Sequence, residues 1–269
     1  MEMPEMNQDI RIGALISGSG TNLQAIMDAC ESRQIRGKIV FIGSDNPSSE
    51  GLKRGEKINI PTFIVDYGSI IRRFNKSPEK VKLPADFDIN DVLSKQTLFP
   101  ANTDKKKTKH FFATRAVAEA ALLDEMKSYP FDLLVLAGFM RNLTPYFIDR
   151  VNTTEGRPRI MNIHPALLPA FPGVDGYGDT FRYGCKIGGC TVHFVDYGED
   201  SGPIIGQRVY TISEDDTLES IRQKGLKIEW TLYPECVKLF AEGRLKTVRM
   251  SYILKSGKKT HRTIVKILP

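Results

Sequence analysis

Apolar residues come along this chain in short blocks that alternate between two periods. Residues 10–17, IRIGALIS, form a compact apolar run, and the following SGSGTNLQAIMDACESRQ switches to helical spacing, with Leu23, Ile26 and Ala29 or Cys30 on one stripe. That pair predicts strand, glycine turn, helix. KIVFIGS repeats the strand pattern and ends in the turn-like SDNPSS, GLKRGEKIN fits a short helix, and PTFIVD a third strand. Regular spacing breaks off between residues 67 and 111, where prolines and mixed charge predict an insertion that is partly helical at most. It resumes with TRAVAEAALLDEM as an amphipathic helix and FDLLVLAGF as a near-continuous apolar run, the mark of a central parallel strand covered on both faces. A short helix at TPYFIDRV, a strand at RIMNIHP, a glycine-rich loop, strands at CTVHFVD and PIIGQRVYTI, and a long helix over residues 217–242 follow. Residues 246–269 read as a basic hairpin with SGKK at its turn. Strands alternating with helices imply right-handed parallel crossovers. The predicted fold class is therefore α/β, a doubly wound, mostly parallel open sheet within a single domain over residues 1–269.

Composition narrows the class without changing it. The chain has 269 residues, 41% hydrophobic and 26% charged, as expected of a globular protein with a sizeable core. No apolar run approaches the length of a membrane span, and MEMPEMNQDI has neither the basic start nor the apolar core of a signal peptide, so a cytoplasmic protein is expected, with no membrane partner. The four cysteines form no C-x-x-C pair, which favours reduced packing thiols over a metal site. The net charge of +6 is concentrated in NTDKKKTKH near residue 105 and in the tail from Lys246 onward, which carries no acidic residue. Neither stretch has a helix-turn-helix, zinc-finger or aromatic stacking signature, so a solvated loop and a basic hairpin are expected rather than a nucleic-acid partner. Anionic small-molecule ligands would also benefit from such a field.

Three stretches could carry chemistry. In SGSGTNL the glycines allow close approach of the backbone to a ligand, and open amides at a helix N-terminus favour an anion such as phosphate. The dinucleotide fingerprint is incomplete, because Leu23 stands where its third glycine belongs and Gly43 and Ser44 stand where an acidic residue would end the second strand. A phosphate ester fits better than a dinucleotide; a turn that only caps the helix through Thr21 or Asn22 is the competing reading. In MNIHPALLP, Asn162 and His164 are two residues apart at a strand end, so both project to one face, and Pro165 holds His164 extended. In an open parallel sheet that end is where ligands bind. His193, in mid-strand among apolar neighbours, is the other candidate histidine, and a core or supporting role is the competing reading. DYGEDSGPII places Asp200 in an acidic turn that is either solvated or set against an imidazole, whose protonated form it would favour. Asn162, His164 and Asp200 supply an amide donor, a charged donor and a carboxylate without a serine or cysteine nucleophile. Such a set suits acyl transfer to a nucleophile carried by the substrate.

ISGSGTNLQAI, LAGFMRNLTP, NIHPALLPAFPG, TVHFVDYGEDSGPII and EGRLK resemble, in order and spacing, the folate-dependent phosphoribosylglycinamide formyltransferases. The match covers most of the chain apart from about residues 67–111, 174–189 and the tail. The resemblance implies the Rossmann-like formyltransferase form of the sheet and transfer of a formyl group from 10-formyltetrahydrofolate to the amine of glycinamide ribonucleotide in purine biosynthesis. It implies Asn162, His164 and Asp200 as catalytic residues, Gly20, Thr21 and Asn22 as the substrate-phosphate loop, and Glu229 as a ribose contact. Met140, Arg141, Asn142 and Leu143, with the turn of Asp196, Tyr197, Gly198, Glu199 and Asp200, fall on the folate-binding segments, joined by Asn162 and by Arg115 as a ligand-binding arginine. A homodimer is compatible with it.

The chain departs from the family at Ala170, where a lysine is usual, at VDGYGDTFRYG in place of an H-x-H-containing segment, and in the long insertion. These departures bear on how the substrate and the folate tail are held, more than on the reaction. LPAF also resembles the formyltetrahydrofolate hydrolases, in which water replaces the amine, but those carry an N-terminal regulatory domain and lack a loop like SGSGTN. A non-catalytic folate or nucleotide-binding protein of the same fold is the other alternative, and the presence of all three chemical residues counts against it.

Overall fold

The computed structural model describes residues 9–269. Its main sheet has seven strands, β1 (Ile10–Ile16), β2 (Gly37–Ser44), β3 (Thr62–Ile64), β4 (Leu133–Leu136), β5 (Ile160–His164), β6 (Ile187–Phe194) and β7 (Ile204–Thr211), in the order β3-β2-β1-β4-β5-β6-β7. The five strands from β3 to β5 are parallel, and β6 and β7 continue the sheet antiparallel. From β1 the chain first winds outward to β3 and then returns to lay β4 on the other side of β1. The carboxyl ends of β1 and β4 therefore flank a crevice that no crossover covers.

Strand alternation sorts the core into two layers. Ile12, Ala14 and Ile16 of β1 and Leu133 and Val135 of β4 face one cluster, whereas Leu15, Leu134 and Leu136 face the other. Helices α1 (Thr21–Glu31) and α8 (Leu218–Ala241) cover the first face through Leu23, Ile26, Met27, Leu232, Tyr233 and Val237. The second is covered by α5 (Lys105–Met126) and α6 (Pro145–Val151), with α3 (Tyr67–Lys76) alongside. A near-continuous apolar strand such as β4 is what two-sided burial requires. The short α2 (Leu52–Glu56) links β2 to β3, and β8 (Leu245–Ile253) pairs with β9 (Lys259–Ile267) as the expected C-terminal hairpin. Among the described residues no helix is long and apolar enough to cross a membrane. All four cysteines are free, and burial pushes the thiols of Cys190 and Cys236 up to about 12.

Two expectations need correction. The basic run at 105–110 is the start of α5 and not a solvated loop, because the Asp104 carboxylate accepts from the Lys107 amide at 2.8 Å and caps the helix. Its lysines lie on the outer face while Thr108 and Phe112 turn inward. Residues 176–182, expected as part of a glycine-rich loop, form α7 (Gly176–Arg182), capped by Asp175. Gly176 is there for space: a Cβ would stand 2.9 Å from the Pro165 carbonyl oxygen and 3.1 Å from His164 Nε2.

Residues 67–111 are partly helical, with α3, a 3-10 turn at Pro78–Lys80, α4 (Ile89–Lys95) and the start of α5. They pack on the rest of the molecule. Val92 joins Phe112, Ala116 and Tyr146 in a third apolar cluster, Lys95 pairs with Asp149 at 2.8 Å, and Asp86 accepts from Tyr146 and Arg150. The Thr97 amide donates to the Tyr197 carbonyl at 2.9 Å, which ties this segment to the 196–200 turn.

Behind the sheet, Glu119 is fully buried and accepts from both the amide and the hydroxyl of Thr144, the residue that begins α6. Burial outweighs these two bonds and pushes its carboxyl up to about 8. A carboxyl raised in the native state keeps its proton while the unfolded chain has already released its own, so stability falls as pH rises from the ordinary carboxylate range to about 8. Glu119→Gln, which keeps the acceptor and gives Thr144 a donor, should remove that slope. Urea unfolding at pH 5 and pH 8 should show the variant gaining on the parent by at least about 1 kcal/mol at the higher pH. Parallel losses in both proteins would contradict the assignment.

Candidate active site

The crevice above β1 and β4 opens into a cavity of about 270 Å³. Its walls are the first turn of α1, the 138–143 segment after β4, the end of β5, the 173–177 segment, the 198–200 turn and Glu229 of α8. Of the residues singled out in the sequence, Asn22, Glu229, Met140, Arg141, Asn142, Leu143, Asn162, His164, Gly198, Glu199 and Asp200 line it.

At the centre, β5 presents Asn162 and His164 on one face, and the 196–200 turn brings Asp200 back over them. Asp200 adopts a left-handed backbone, φ 47°, which aims its carboxylate at the strand end. His164 Nδ1 lies 3.1 Å from Asp200 Oδ2, and Asn162 Nδ2 lies 3.4 Å from Asp200 Oδ1. The Gly173 amide donates to Oδ2 at 2.8 Å. Burial opposes the charge on Asp200, but the nearby His193 and His164 rings and the Gly173 amide together outweigh it and hold the carboxyl below its ordinary range. The other ring nitrogen of His164 is 2.7 Å from the Phe171 carbonyl oxygen. Both ring nitrogens thus face oxygen acceptors, and donation by Nε2 to a substrate requires the Phe171 contact to open.

The α1 end is built on Gly20, at φ 68°, where a Cβ would stand 3.1 Å from the Gly51 Cα. No side chain caps α1 and its first turn carries no acidic residue, which leaves the turn's amides open. Asn22 Nδ2 donates to Glu229 at 2.6 Å, whose other oxygen accepts from the Tyr177 hydroxyl. Burial pushes the Glu229 carboxyl up against these two bonds. Asn22 Oδ1 is buried with no hydrogen-bond partner, an acceptor left open in a residue that lines the cavity. Gly20 and Thr21 shape the loop without lining the cavity, and Thr21 faces an adjoining groove between α1 and α8.

On the opposite side, the 138–143 segment is clamped from two directions. Asn142 Nδ2 donates to Glu199 at 3.0 Å, and Arg141 Nε pairs with Asp45 at 2.5 Å. Asp196 accepts from the Gly198 amide and the Ser201 hydroxyl, and Tyr197 donates to Asp149 at 2.6 Å, so both shape the turn from outside the cavity. Arg115 stands apart too, its guanidinium 4.5 Å above the Phe111 ring and close enough to Arg141 for the two charges to repel.

Sequence reasoning missed two neighbours, Tyr177 and Asp45, and left the role of a third, His193, open. His193 is buried and lies 3.2 Å from Asn162 Nδ2 and 3.6 Å from Asp200, because the antiparallel register sets it opposite Asn162. No signal within the chain gives that register. Tyr177 sits in the unexpected α7, wedged so closely on Gly225 that a Cβ there would meet its ring at 2.2 Å. Asp45 ends the apolar run of β2, and a polar residue at the carboxyl end of a parallel strand was the signal that could have found it.

Comparison with known proteins agrees with this geometry. The formyl transferase family model matches residues 10–237. The phosphoribosylglycinamide formyltransferase of Haemophilus influenzae is 32% identical over 88% of this chain and 89% of its own length. The trifunctional purine biosynthetic protein adenosine-3 of Chironomus tentans is 33% identical over 87% of this chain, which spans only 14% of that longer protein. The crystal structure of glycinamide ribonucleotide transformylase 1 from Symbiobacterium toebii superposes with a TM-score of 0.69 at 33% identity, covering 100% of this chain and 99% of that one. With the family model spanning most of its length, and relatives of matching size above 30% identity, the chain belongs to the formyl transferase family, among the phosphoribosylglycinamide formyltransferases.

Proposed function

We infer that this protein transfers the formyl group of 10-formyltetrahydrofolate to the amine of glycinamide ribonucleotide, the step its relatives' names assign to purine biosynthesis. The observation that carries the reading is the convergence of Asn162, His164 and Asp200 in one cavity, with open helix amides at one end and the 138–143 segment at the other. The folate supplies the formyl carbon, which the substrate amine attacks to give a tetrahedral adduct; the bond to N10 then breaks, and the proton lost by the amine is balanced by one gained at N10. Asn162 Nδ2 and the protonated His164 ring donate to the oxygen as charge develops on it. Asp200 supports that imidazolium and helps remove the amine proton through water. Gly20, Thr21 and Asn22 present the α1 amides to the phosphate, and Glu229 meets the ribose. Met140 to Leu143, with Glu199 and the 196–200 turn, hold the folate, and Arg115 serves from behind that segment. Residues 9–269 act as one catalytic domain in the cytoplasm, and neither nucleic acid nor membrane is a partner in this reading. A homodimer is compatible with it.

The hydrolase alternative needs no site for an anionic amine substrate, and the uncapped α1 turn favours the transferase. His164→Ala and Asp200→Asn should each lower turnover about a hundredfold or more while folate binding persists, since removing one donor to a developing oxyanion costs that much. Asp200→Asn should also shift the pH profile of turnover, because the depressed carboxyl beside the ring is lost. Turnover within tenfold of the parent in both variants would sink the mechanism.

The phosphate assignment is tested at Thr21, since Gly20 has no room for a side chain. Thr21→Glu puts a carboxylate where the helix dipole favours it, so the fold is kept while an incoming phosphate is repelled. The Michaelis constant for glycinamide ribonucleotide should rise about tenfold or more, with that for the folate little changed. An unchanged constant, or rapid folate release by the parent without the amine, would favour the hydrolase.

A further inference from the structure

Asp45 makes none of the contacts assigned above to substrate or folate, yet its side chain is only 2% exposed and holds two charge-bearing bonds. It stands just past the end of β2, where the carboxyl ends of β2, β1 and β4 meet. One oxygen accepts from the Ser17 hydroxyl at the end of β1. Ser17 Oγ itself accepts from the Met140 amide at 2.8 Å, and the Ser17 amide donates to the Gly138 carbonyl at 3.0 Å. The other Asp45 oxygen pairs with Arg141 Nε at 2.5 Å, which sets the guanidinium 5.7 Å from the Tyr67 ring centroid. A single buried carboxylate therefore fixes the backbone at Met140 through Ser17 and the side chain at Arg141 directly, two successive residues of the cavity wall.

We propose that Asp45 is the positioning residue for the folate side of the site, acting through Arg141 and Ser17 rather than on any ligand. The inference rests on the folate reading of the 138–143 segment. Arg141 lines the cavity and its side chain is about one-third exposed, and a long, rotamer-rich side chain left free there would lose entropy each time a ligand bound. Held in advance by a charge-assisted bond, it meets the ligand without that loss. Asn142 is held from the other side by Glu199, so the carboxylate of Asp45 completes a clamp on both flanks of the segment.

The test is a double-mutant cycle of Asp45→Asn and Arg141→Met, with the Michaelis constants for both substrates, turnover and the thermal midpoint measured for each protein. Arg141→Met should raise the constant for 10-formyltetrahydrofolate about tenfold. Asp45→Asn should raise it by a similar factor, with turnover and the constant for glycinamide ribonucleotide within about threefold of the parent, and the double variant should be no worse than the worse single one. Ser17→Ala reads the second branch and stands in if Asp45→Asn does not fold; it too should raise the folate constant alone. An effect of Arg141→Met that Asp45→Asn and Ser17→Ala both lack, or factors that multiply in the double variant, would overturn the positioning role alone. No effect of Arg141→Met on the folate constant would overturn the folate assignment and this inference together.

Discussion

The parting of the chain between β1 and β4 governs what stands above the sheet. A strand buried on both faces has no surface to give to a ligand, so only the strand ends remain, and most of those are closed by the crossovers that leave them. Between β1 and β4 successive connections run away on opposite sides, and the crevice left open is edged by backbone groups that need partners. The 17–22 loop and the 138–143 segment meet across it, joined at Ser17 and Gly138. Much of the site hangs from these two edges or from β5 beside them, and the 173–177 segment, the 198–200 turn and Glu229 of α8 close the remaining walls.

Buried carboxylates do the holding. Asp200, Asp45, Glu229 and Glu119 are all largely withdrawn from solvent, and each accepts at least two hydrogen bonds. Their environments nevertheless push them apart. Asp200 lies among two imidazoles and an amide and stays below its ordinary range, whereas Glu119 and Glu229 have neutral donors alone in direct contact and are pushed up by burial. A depressed carboxyl beside His164 suits support of a charged ring, and a raised one beside Asn22 suits a hydrogen-bonding partner whose charge is costly. The same carboxyl group thus performs two tasks according to what surrounds it.

The segment at residues 67–111 belongs to this arrangement more than its irregular sequence suggests. Tyr67 is fully buried in the second core layer, and Thr97 props the Tyr197 carbonyl in the turn that carries Asp200. The irregularity reflects short helices whose inward residues are few: Val92 is the buried residue of α4, and Phe74 with Tyr67 those of α3. A periodic signal needs more inward positions than these provide.

Periodicity within the chain was enough to determine the strands, the two-sided burial of β4, the helices α1, α6 and α8, and the strand-end pair Asn162 and His164, because each depends on neighbours within a few residues. Cap chemistry was legible too: the Asp104 and Asp175 signals that begin α5 and α7 stand in the sequence, masked by a lysine run and by glycines. What the tertiary structure decided is pairing at long range. The antiparallel register that sets His193 against Asn162, the turn that returns Asp200 to His164, the union of Asp45 with Arg141 and the wedge of Tyr177 on Gly225 join residues 31 to 96 positions apart. No local pattern encodes these separations, since they follow from how the whole sheet is ordered and which ends it brings together.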